Sequence, residues 1–262
     1  MEIKNKSVII AGGASGMGAA TAKRLSQQGA KVAILDMNKT AAEKIAADIK
    51  GIAIECDVTH AESVEKALAT ATAQHGPARI VINCAGVVHS KRMVGKEGPL
   101  PLDEFRKIIE INLIGTFNVM RLGAAAMMPL TPLDDDEEGG AKGDGERGVI
   151  INTASIAAYE GQIGQTAYSA SKGGIIALTL PAARELATFG IRIVAIAPGL
   201  VDTPLFAKIP AEAKTALAAS VPFPKRLAYP AEFAMLVEQI INNPMLNGCV
   251  IRLDGALRMQ AK

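Results

Sequence analysis

Short runs of apolar residues alternate along the chain with longer segments in which apolar residues recur every three or four positions. The runs Val149-Ile150-Ile151 and Val32-Ala33-Ile34-Leu35 are apolar throughout, which is typical of strands that are covered on both faces. An alternation of such strands with helices predicts a parallel sheet between two helical layers. The predicted strands span residues 7–11, 31–36, 52–56, 79–83, 148–153, 191–197 and 250–253.

The segments between these strands have a helical pattern, and Pro230 stands at a favoured first-turn position of the last one. We therefore expect an α/β protein with a single domain over residues 1–262. Its doubly wound, mostly parallel Rossmann sheet should have about seven strands, with helices on both faces. The predicted helices span residues 19–28, 40–50, 61–74, 102–127, 168–188 and 230–242.

Two segments interrupt this alternation. Residues 129–148 contain the acidic run 134–138 within glycine-rich sequence, which predicts a solvated loop; a docking surface for a basic partner is the alternative. Residues 198–227 contain five prolines around the amphipathic stretch Ala211–Ala219. Because this second segment follows the carboxyl end of a strand, where ligands bind in open α/β sheets, it predicts a substrate lid.

Composition narrows the class of protein. The 262 residues are 49% hydrophobic, enough for a substantial core, and the formal net charge is only +2. Charge therefore gives no support to nucleic acid or an anionic membrane as a partner, and we expect no apolar run of bilayer length. The three cysteines lack a metal-ligand pattern, which suits a reducing compartment. Since the N-terminus has no signal-peptide pattern, we expect a cytoplasmic enzyme for a small-molecule substrate, without a metal.

A glycine-rich turn follows the first predicted strand and opens the first helix. Gly12, Gly16 and Gly18 let the backbone come close to a pyrophosphate, while the N-terminus of the helix offers free N–H groups. The spacing differs from the G-x-G-x-x-G dinucleotide fingerprint, although the strand–turn–helix setting is the same. The turn predicts a phosphate cradle, and a glycine turn without a ligand is the alternative.

Asp36 ends the second predicted strand, about 20 residues beyond the turn, where a carboxylate can accept hydrogen bonds from an adenosine ribose. A 2′-phosphate there would meet a negative charge. The glycine-rich turn contains no Lys or Arg, and Lys39 is the only cation close to Asp36 in sequence. These features favour NAD over NADP, whereas an ordinary turn residue at a strand end is the alternative for Asp36.

Tyr168 and Lys172 are four residues apart in a predicted helix, so both side chains lie on one helical face. A tyrosine normally has a pKa near ~10, and a nearby positive charge favours the phenolate. The pair is a candidate acid/base. A half-buried ring beside a solvated charge is the alternative, because this spacing is common.

The chain resembles the short-chain dehydrogenase/reductase family over essentially its whole length. The resemblance is carried by the glycine-rich turn, Asp57-Val58, Asn83-Cys84-Ala85-Gly86, Asn112, Ser155, Tyr168 with Lys172, and Pro198-Gly199. More narrowly, residues 148–174, 197–205, 221–227 and 247–259 resemble the type-2 3-hydroxyacyl-CoA dehydrogenases, also called type-10 17β-hydroxysteroid dehydrogenases. Those relatives are NAD-dependent homotetramers that oxidise short or branched 3-hydroxyacyl-CoA and some hydroxysteroids.

The resemblance implies a catalytic set. Tyr168 is then the general base in oxidation and the acid in reduction, while Lys172 lowers its pKa and holds the nicotinamide ribose. Ser155 orients the substrate oxygen toward Tyr168. Asn112, an amide in an apolar helix that needs a partner, anchors a water that relays protons to Lys172. Without the other two residues, Ser155 would be a simple turn serine.

The resemblance also implies the contacts with the cofactor and the substrate. Cys84 is expected to be a small filler and not a nucleophile, because no histidine base neighbours it, and His89 is expected in a surface loop. Solvent-facing side chains are the alternative for Gln162 and Gln165, and turn geometry is the alternative for Asn83 and Gly86. The implied NAD contacts are Gly12, Ser15, Gly16, Met17, Gly18, Asp36, Asp57, Val58, Asn83, Cys84, Ala85, Gly86, Tyr168, Lys172, Pro198, Gly199, Val201 and Thr203. The implied substrate contacts are Ser155, Gln162, Gln165, Tyr168 and Leu205.

Three functions agree with these residues. The first is an NAD-dependent dehydrogenase of a 3-hydroxyacyl-CoA, with a hydroxysteroid or another secondary alcohol as the competing substrate. The second is a 3-oxoacyl reductase, against which Asp36 argues because such enzymes usually take NADPH. The third is a cofactor-binding scaffold or RNA-processing partner, and the complete set Ser155, Tyr168 and Lys172 favours catalysis over it.

Overall fold

The computed structural model describes residues 1–88, 90–133, 145–204 and 209–261. Its strands are β1 (Ser7–Ala11), β2 (Lys31–Asp36), β3 (Ile52–Glu55), β4 (Ala78–Asn83), β5 (Val94–Gly95), β6 (Gly98–Pro99), β7 (Gly148–Thr153), β8 (Ile191–Pro198) and β9 (Val250–Leu253). Its α-helices are α1 (Gly16–Gln27), α2 (Lys39–Ile49), α3 (Ala61–His75), α4 (Leu102–Ile109), α5 (Gly115–Met127), α6 (Thr166–Ala187), α7 (Ala211–Ala219) and α8 (Pro230–Asn242). A π-helical segment, Glu110–Ile114, joins α4 to α5, and Ile156–Ala158 form a short 3₁₀ turn.

Seven strands form one parallel sheet in the order β3-β2-β1-β4-β7-β8-β9, and β5 and β6 form a separate hairpin. The chain runs outward from β1 to β3 and then returns to β4 beside β1, so the strand order reverses between β1 and β4. The carboxyl ends of the central strands lie level, because Ala11 pairs with Asn83 and Asn83 with Asn152. A crevice at such a reversal is where ligands bind in open α/β sheets.

Alternate residues of the central strands enter two cores. One face of the sheet packs against α3, α5 and α6 through residues such as Val64 and Val119. The other face packs against α1, α2 and α8, where Leu25 and Phe233 are completely buried. Because both faces are covered, the strands must be apolar throughout, which explains the continuous runs in the sequence.

The predicted α/β fold with about seven parallel strands is confirmed. Each predicted strand of the large sheet agrees with the structure to within one residue at either end. The first helix begins at Gly16, three residues before its predicted start, because its first turn is formed by the glycine-rich sequence itself. The hairpin of β5 and β6 was not predicted, since two-residue strands leave no periodic pattern.

The predicted helix 102–127 is helical throughout but contains the π-helical segment at its centre. This stretch, Leu102–Met127, is the only one in the described ranges that is long and apolar enough to cross a membrane. The expectation that no apolar run approaches bilayer length was therefore wrong by length and composition. Half of its most apolar 18-residue window is buried inside the fold, as in the core helix of a soluble protein, so the stretch is weak evidence for a membrane.

The segment predicted as a solvated loop, residues 129–148, is firmly held at both described ends. The Leu133 N–H donates to the Glu146 carbonyl at 2.8 Å, and Arg147 Nε donates to the Leu130 carbonyl at 2.7 Å. Glu146 is buried and pairs with Arg192 at 2.8 Å. The C-terminal end of the segment is therefore part of the fold, because its charges are paired. The acidic run 134–138 lies outside the described residues.

Candidate active site

A cavity of about 310 Å³ opens at the carboxyl ends of the central strands. Its walls come from the turns after β1, β4, β7 and β8, from α6, and from the C-terminal residues. The structure thus brings together residues that are far apart in sequence. The predicted site residues that line it are Met17, Cys84, Gly86, Ser155, Gln162, Gln165, Tyr168, Lys172, Pro198, Gly199, Val201 and Thr203.

Ser155 and Tyr168 meet at the floor of this cavity. Ser155 follows β7 and is buried, and its Oγ accepts a hydrogen bond from the Ala157 N–H at 3.1 Å. This bond fixes the serine at the start of the 3₁₀ turn. Tyr168 lies in the first turn of α6. Burial raises the pKa of Tyr168, and the interaction of its hydroxyl with the Ser155 side chain acts in the opposite direction.

Lys172 is almost completely buried, one helical turn beyond Tyr168. Its Nζ donates to the Thr153 carbonyl at 2.7 Å and lies 5.9 Å from the centroid of the Tyr168 ring. Burial lowers the pKa of Lys172 to about 8, against the opposing influence of Cys84. The predicted proximity is found. The expected lowering of the Tyr168 pKa is not seen, because burial raises this pKa and the Ser155 side chain is the group that opposes the rise.

Asn112 lies in the π-helical segment and is completely buried. Its Oδ1 accepts from the Val87 N–H at 2.8 Å, and its Nδ2 donates to the Val87 carbonyl at 2.9 Å and to Ser171 Oγ at 3.1 Å. Ser171 Oγ in turn donates to the Tyr168 carbonyl at 2.7 Å. The amide therefore has the partners that its burial requires, and it connects the turn after β4 to the helix that carries Tyr168.

The glycine-rich turn has no room for a side chain at Gly12 or Gly18. A Cβ on Gly12 would lie 2.4 Å from the Ala85 backbone nitrogen, and a Cβ on Gly18 would lie 2.1 Å from the Gly12 carbonyl oxygen. Gly12 also has a φ of 76°, which favours glycine. The turn is thus a bare backbone cradle at the N-terminus of α1, where Ser15 is the N-cap residue. Such a surface fits the pyrophosphate of a dinucleotide.

Asp36 holds this cradle in place. Its Oδ2 accepts from the Ala14 N–H at 3.1 Å and its Oδ1 from the Asn38 N–H at 2.9 Å. Each carboxylate oxygen keeps a further lone pair, so the geometry leaves Asp36 able to bind ribose hydroxyls as well. The bond to Ala14 is a structural role that the sequence did not predict.

The structure gives several predicted cofactor contacts a packing role. Asn83 Nδ2 donates to Asn152 Oδ1 at 2.8 Å inside the sheet, so this side chain holds β4 to β7. Val58 is buried against Gly115. Burial acts to raise the pKa of Asp57, but hydrogen bonds from Thr59 and the neighbouring His60 lower it. Burial raises the pKa of Cys84 to about 11, in agreement with a filler and not a nucleophile.

The substrate side of the cavity is mainly apolar. Gln162 and Gln165 both line it, so they do not simply face solvent. Leu205 and His89 lie outside the described residues. The apolar wall of the cavity includes Ile209 and Leu217, which belong to the segment predicted as a substrate lid, whereas its other members, Val87, Val88 and Met259, were not predicted. No local pattern could have joined these three to the lid, because the wall is formed by three distant parts of the chain.

The comparisons with known proteins agree with this geometry. The family model for short chain dehydrogenases matches residues 6–214. The chain belongs to this family. It is 49% identical to the human 3-hydroxyacyl-CoA dehydrogenase type-2, with 98% of this chain and 97% of the human protein covered. Membership makes it an oxidoreductase that uses a nicotinamide cofactor.

Two solved structures are also similar to this short-chain dehydrogenase. The 3-hydroxyacyl-CoA dehydrogenase type-2 of Mycobacterium avium has 41% identity and a TM-score of 0.90, with 98% of each chain covered. The 3-ketoacyl-(acyl-carrier-protein) reductase of Brucella melitensis, solved in complex with NADH, has 28% identity and a TM-score of 0.83. Its alignment covers 98% of this chain and 100% of the reductase.

The tight contact at Gly12 leads to a prediction with a matched control. We expect Gly12→Ala to weaken dinucleotide binding and to lower the free energy of unfolding by more than about 1 kcal/mol, because the methyl group meets backbone atoms. A Cβ on Gly173 would meet nothing within 4 Å, so Gly173→Ala in α6 should be neutral or stabilising. Chemical denaturation and calorimetric titration with NAD measure both effects. Equal effects of the two substitutions would contradict the cradle.

Proposed function

We propose that the protein oxidises the secondary alcohol of a short or branched 3-hydroxyacyl-CoA reversibly to the 3-oxoacyl-CoA, with NAD as its cofactor. The observation that carries the proposal is the meeting of Ser155, Tyr168 and Lys172 on one side of a cavity whose other wall is apolar. The polar groups suit an alcohol, and the apolar wall suits an acyl chain. Relatives that carry this activity in their names share 41% and 49% identity with the chain.

The residues of the cavity divide the work. Ser155 Oγ and the Tyr168 hydroxyl bind the substrate oxygen and orient the carbinol carbon. The Tyr168 phenolate then takes the hydroxyl proton of the alcohol, and in reduction the phenol returns it. When bound, the cofactor supplies the acceptor for the hydride. The cradle from Gly12 to Gly18 would hold its pyrophosphate, and Lys172, Val201 and Thr203 would hold its nicotinamide end.

The environment of Tyr168 favours the phenol until a positive charge offsets burial. Lys172 is a buried ammonium group beside the Tyr168 ring. Its hydrogen bond to the Thr153 carbonyl holds it at its present distance from the ring. Its charge favours the phenolate, as general base catalysis near neutral pH requires. Asn112 supports this arrangement by fixing the turn after β4 and Ser171 against each other. Its role as the anchor of a proton-relaying water stays a prediction.

The choice of NAD over NADP rests on Asp36. The carboxylate is fixed beside the cradle by its bonds to Ala14 and Asn38, so a 2′-phosphate would meet its charge. The neighbouring Met37 is exposed and offers no compensating cation. An NADP-dependent protein would need such a cation at this position.

We expect Asp36→Asn to reduce the ratio of kcat/KM with NAD to kcat/KM with NADP by at least about tenfold, because the amide keeps an acceptor for Ala14 but loses the repulsive charge. Asp48→Asn is the matched control, since Asp48 is an exposed carboxylate on the neighbouring helix α2. Steady-state kinetics with both cofactors measures the ratio. An unchanged ratio in Asp36→Asn would refute the assignment.

The central experiment measures kcat/KM with NAD across short, branched and long 3-hydroxyacyl-CoA esters and hydroxysteroids. We expect the short and branched esters to be preferred, and Tyr168→Phe to lower their kcat by about 100-fold or more because the proton acceptor is lost. NAD affinity should stay within about twofold in this variant, since the ring is retained. Tyr229→Phe is the control, because Tyr229 is an exposed tyrosine that stacks on Arg226 at 4.3 Å, and its activity should be unchanged.

The outcomes separate the alternatives. Uniformly low activity with the CoA esters would favour a hydroxysteroid or another secondary alcohol. A preference for NADPH and for reduction would favour a 3-oxoacyl reductase, the class of the less similar Brucella structure. Full activity of Tyr168→Phe would defeat the mechanism, and a wild type without turnover would favour the cofactor-binding scaffold. Assembly as a homotetramer and a cytoplasmic location stay predictions.

A further inference from the structure

The C-terminal segment, defined as residues 254–261, closes one side of the cavity. Met259 lines the cavity and packs against Ile156, Val221 and Leu257. Ile156 directly follows Ser155, so this small apolar cluster joins the C-terminal segment to the turn that carries a proposed catalytic residue. Met259 and the residues around it are thus part of the site.

The C-terminal segment is hydrogen-bonded to the loop between Ser155 and Tyr168. Gln162 Nε2 donates to the Gln260 carbonyl at 3.1 Å, and the Ile163 N–H donates to the Ala261 carbonyl at 3.0 Å. The loop and the segment therefore form one wall, with Gln162 as its polar member and Met259 as its apolar member.

A cluster of charged side chains holds the two parts of this wall together. Arg252 in β9 donates to both oxygens of Glu160, with its two terminal nitrogens at 2.7 and 2.9 Å, and its Nε donates to Asp254 Oδ2 at 2.6 Å. Arg252 also donates to the Leu257 carbonyl at 3.0 Å and lies 5.0 Å from the centroid of the Tyr159 ring. A planar guanidinium group that forms two parallel hydrogen bonds with a carboxylate fixes the orientation of both groups, which a single surface ion pair does not.

Glu160 connects this cluster to Met259. Hydrogen bonds from Arg252 are the main cause that lowers the pKa of Glu160; burial opposes them, and the backbone N–H of Met259 contributes to the lowering. The carboxylate thus pairs both with Arg252 and with Arg258, whose Nε lies 3.6 Å from Glu160 Oε1 and which directly precedes Met259. The Glu160 side chain is only 23% exposed, so it is better shielded than an ordinary surface carboxylate.

We propose that Met259 sets the size of the carbon chain that the cavity admits, and that Glu160, fixed by Arg252, is the positioning residue that holds Met259 in the wall. A methionine suits this position because its flexible thioether fills irregular space against an apolar ligand. This inference rests on the proposed function only for the choice of substrate. It assigns selectivity to a residue beyond the predicted lid, residues 198–227.

The first test is Met259→Ala, assayed with NAD and 3-hydroxyacyl-CoA esters of four and eight carbons. Removal of the thioether enlarges the cavity, so the ratio of kcat/KM for the longer ester to that for the shorter ester should rise by about tenfold. Met245→Ala is the matched control, because Met245 is 87% exposed and does not line the cavity. A ratio within about twofold of wild type in Met259→Ala would overturn the proposal. The loss of even one methylene contact in an apolar pocket changes kcat/KM by more than that.

The second test asks whether Glu160 acts through Met259. We expect Glu160→Gln to raise the same ratio by about threefold, because the neutral amide binds Arg252 less strongly, and to leave NAD affinity unchanged. In the Met259→Ala background the same substitution should have no further effect on the ratio, since the side chain that it positions is gone. Equal shifts in both backgrounds would refute the positioning role. A merely structural carboxylate would lower all activities and the melting temperature together, without a change in the ratio.

The failure of this inference is distinguishable from that of the proposed function. A wild type that turns over none of the CoA esters contradicts the proposed function. The two tests are then made with butan-2-ol and octan-2-ol, or with two sizes of whichever secondary alcohol is oxidised, and the expected shifts of the ratio are the same. A wild type that oxidises the esters with a ratio unaffected by Met259→Ala contradicts the inference alone.

Discussion

The buried ammonium group of Lys172 is the constraint around which the site is arranged. An unpaired buried charge is costly, and here the Thr153 carbonyl accepts its hydrogen bond at the end of β7. A Cβ on Gly86 would lie 3.6 Å from the Lys172 Nζ and 3.1 Å from Asn112 Oδ1, so a glycine lets the turn after β4 approach without pressing on the Asn112 amide. The Lys172 ammonium group therefore lies where three elements meet, namely the carboxyl ends of β4 and β7 and the start of α6.

The same constraint decides the proton chemistry. Burial raises the pKa of Tyr168 and lowers the pKa of Lys172 to about 8, so it disfavours the charged form of both groups. The phenolate and the ammonium form therefore both depend on a nearby group that offsets the cost of burying their charge. A positive charge brought next to them favours the phenolate, whereas its removal favours the phenol. The arrangement is thus suited to catalysis in both directions.

The local part of this arrangement could be predicted from the sequence, because it depends on spacing along a single element. The strands of the large sheet, the turn from Gly12 to Gly18 and the pair Tyr168 and Lys172 are of this kind. The π-helical segment could not be predicted, since the partners of the Asn112 amide that it carries lie on the turn after β4 and on α6. Asn83 was expected at the cofactor, yet its role as a bridge to Asn152 depends on which strands are neighbours.

The residues on the two sides of the cavity therefore differ in how far apart they lie in the sequence. Proton transfer requires groups held at fixed spacing, and one helix with its preceding turn provides them. Selectivity requires a surface that can change without disturbing those groups. The apolar wall is such a surface, because its members, among them Val87 and Met259, come from distant segments. Glu160 and Arg252, 92 residues apart in sequence, join the two sides, because the loop after Ser155 carries the carboxylate and β9 carries the guanidinium group. A substitution in the wall can then alter the choice of alcohol while Tyr168 and Lys172 stay in place, which is how one fold supports many substrates.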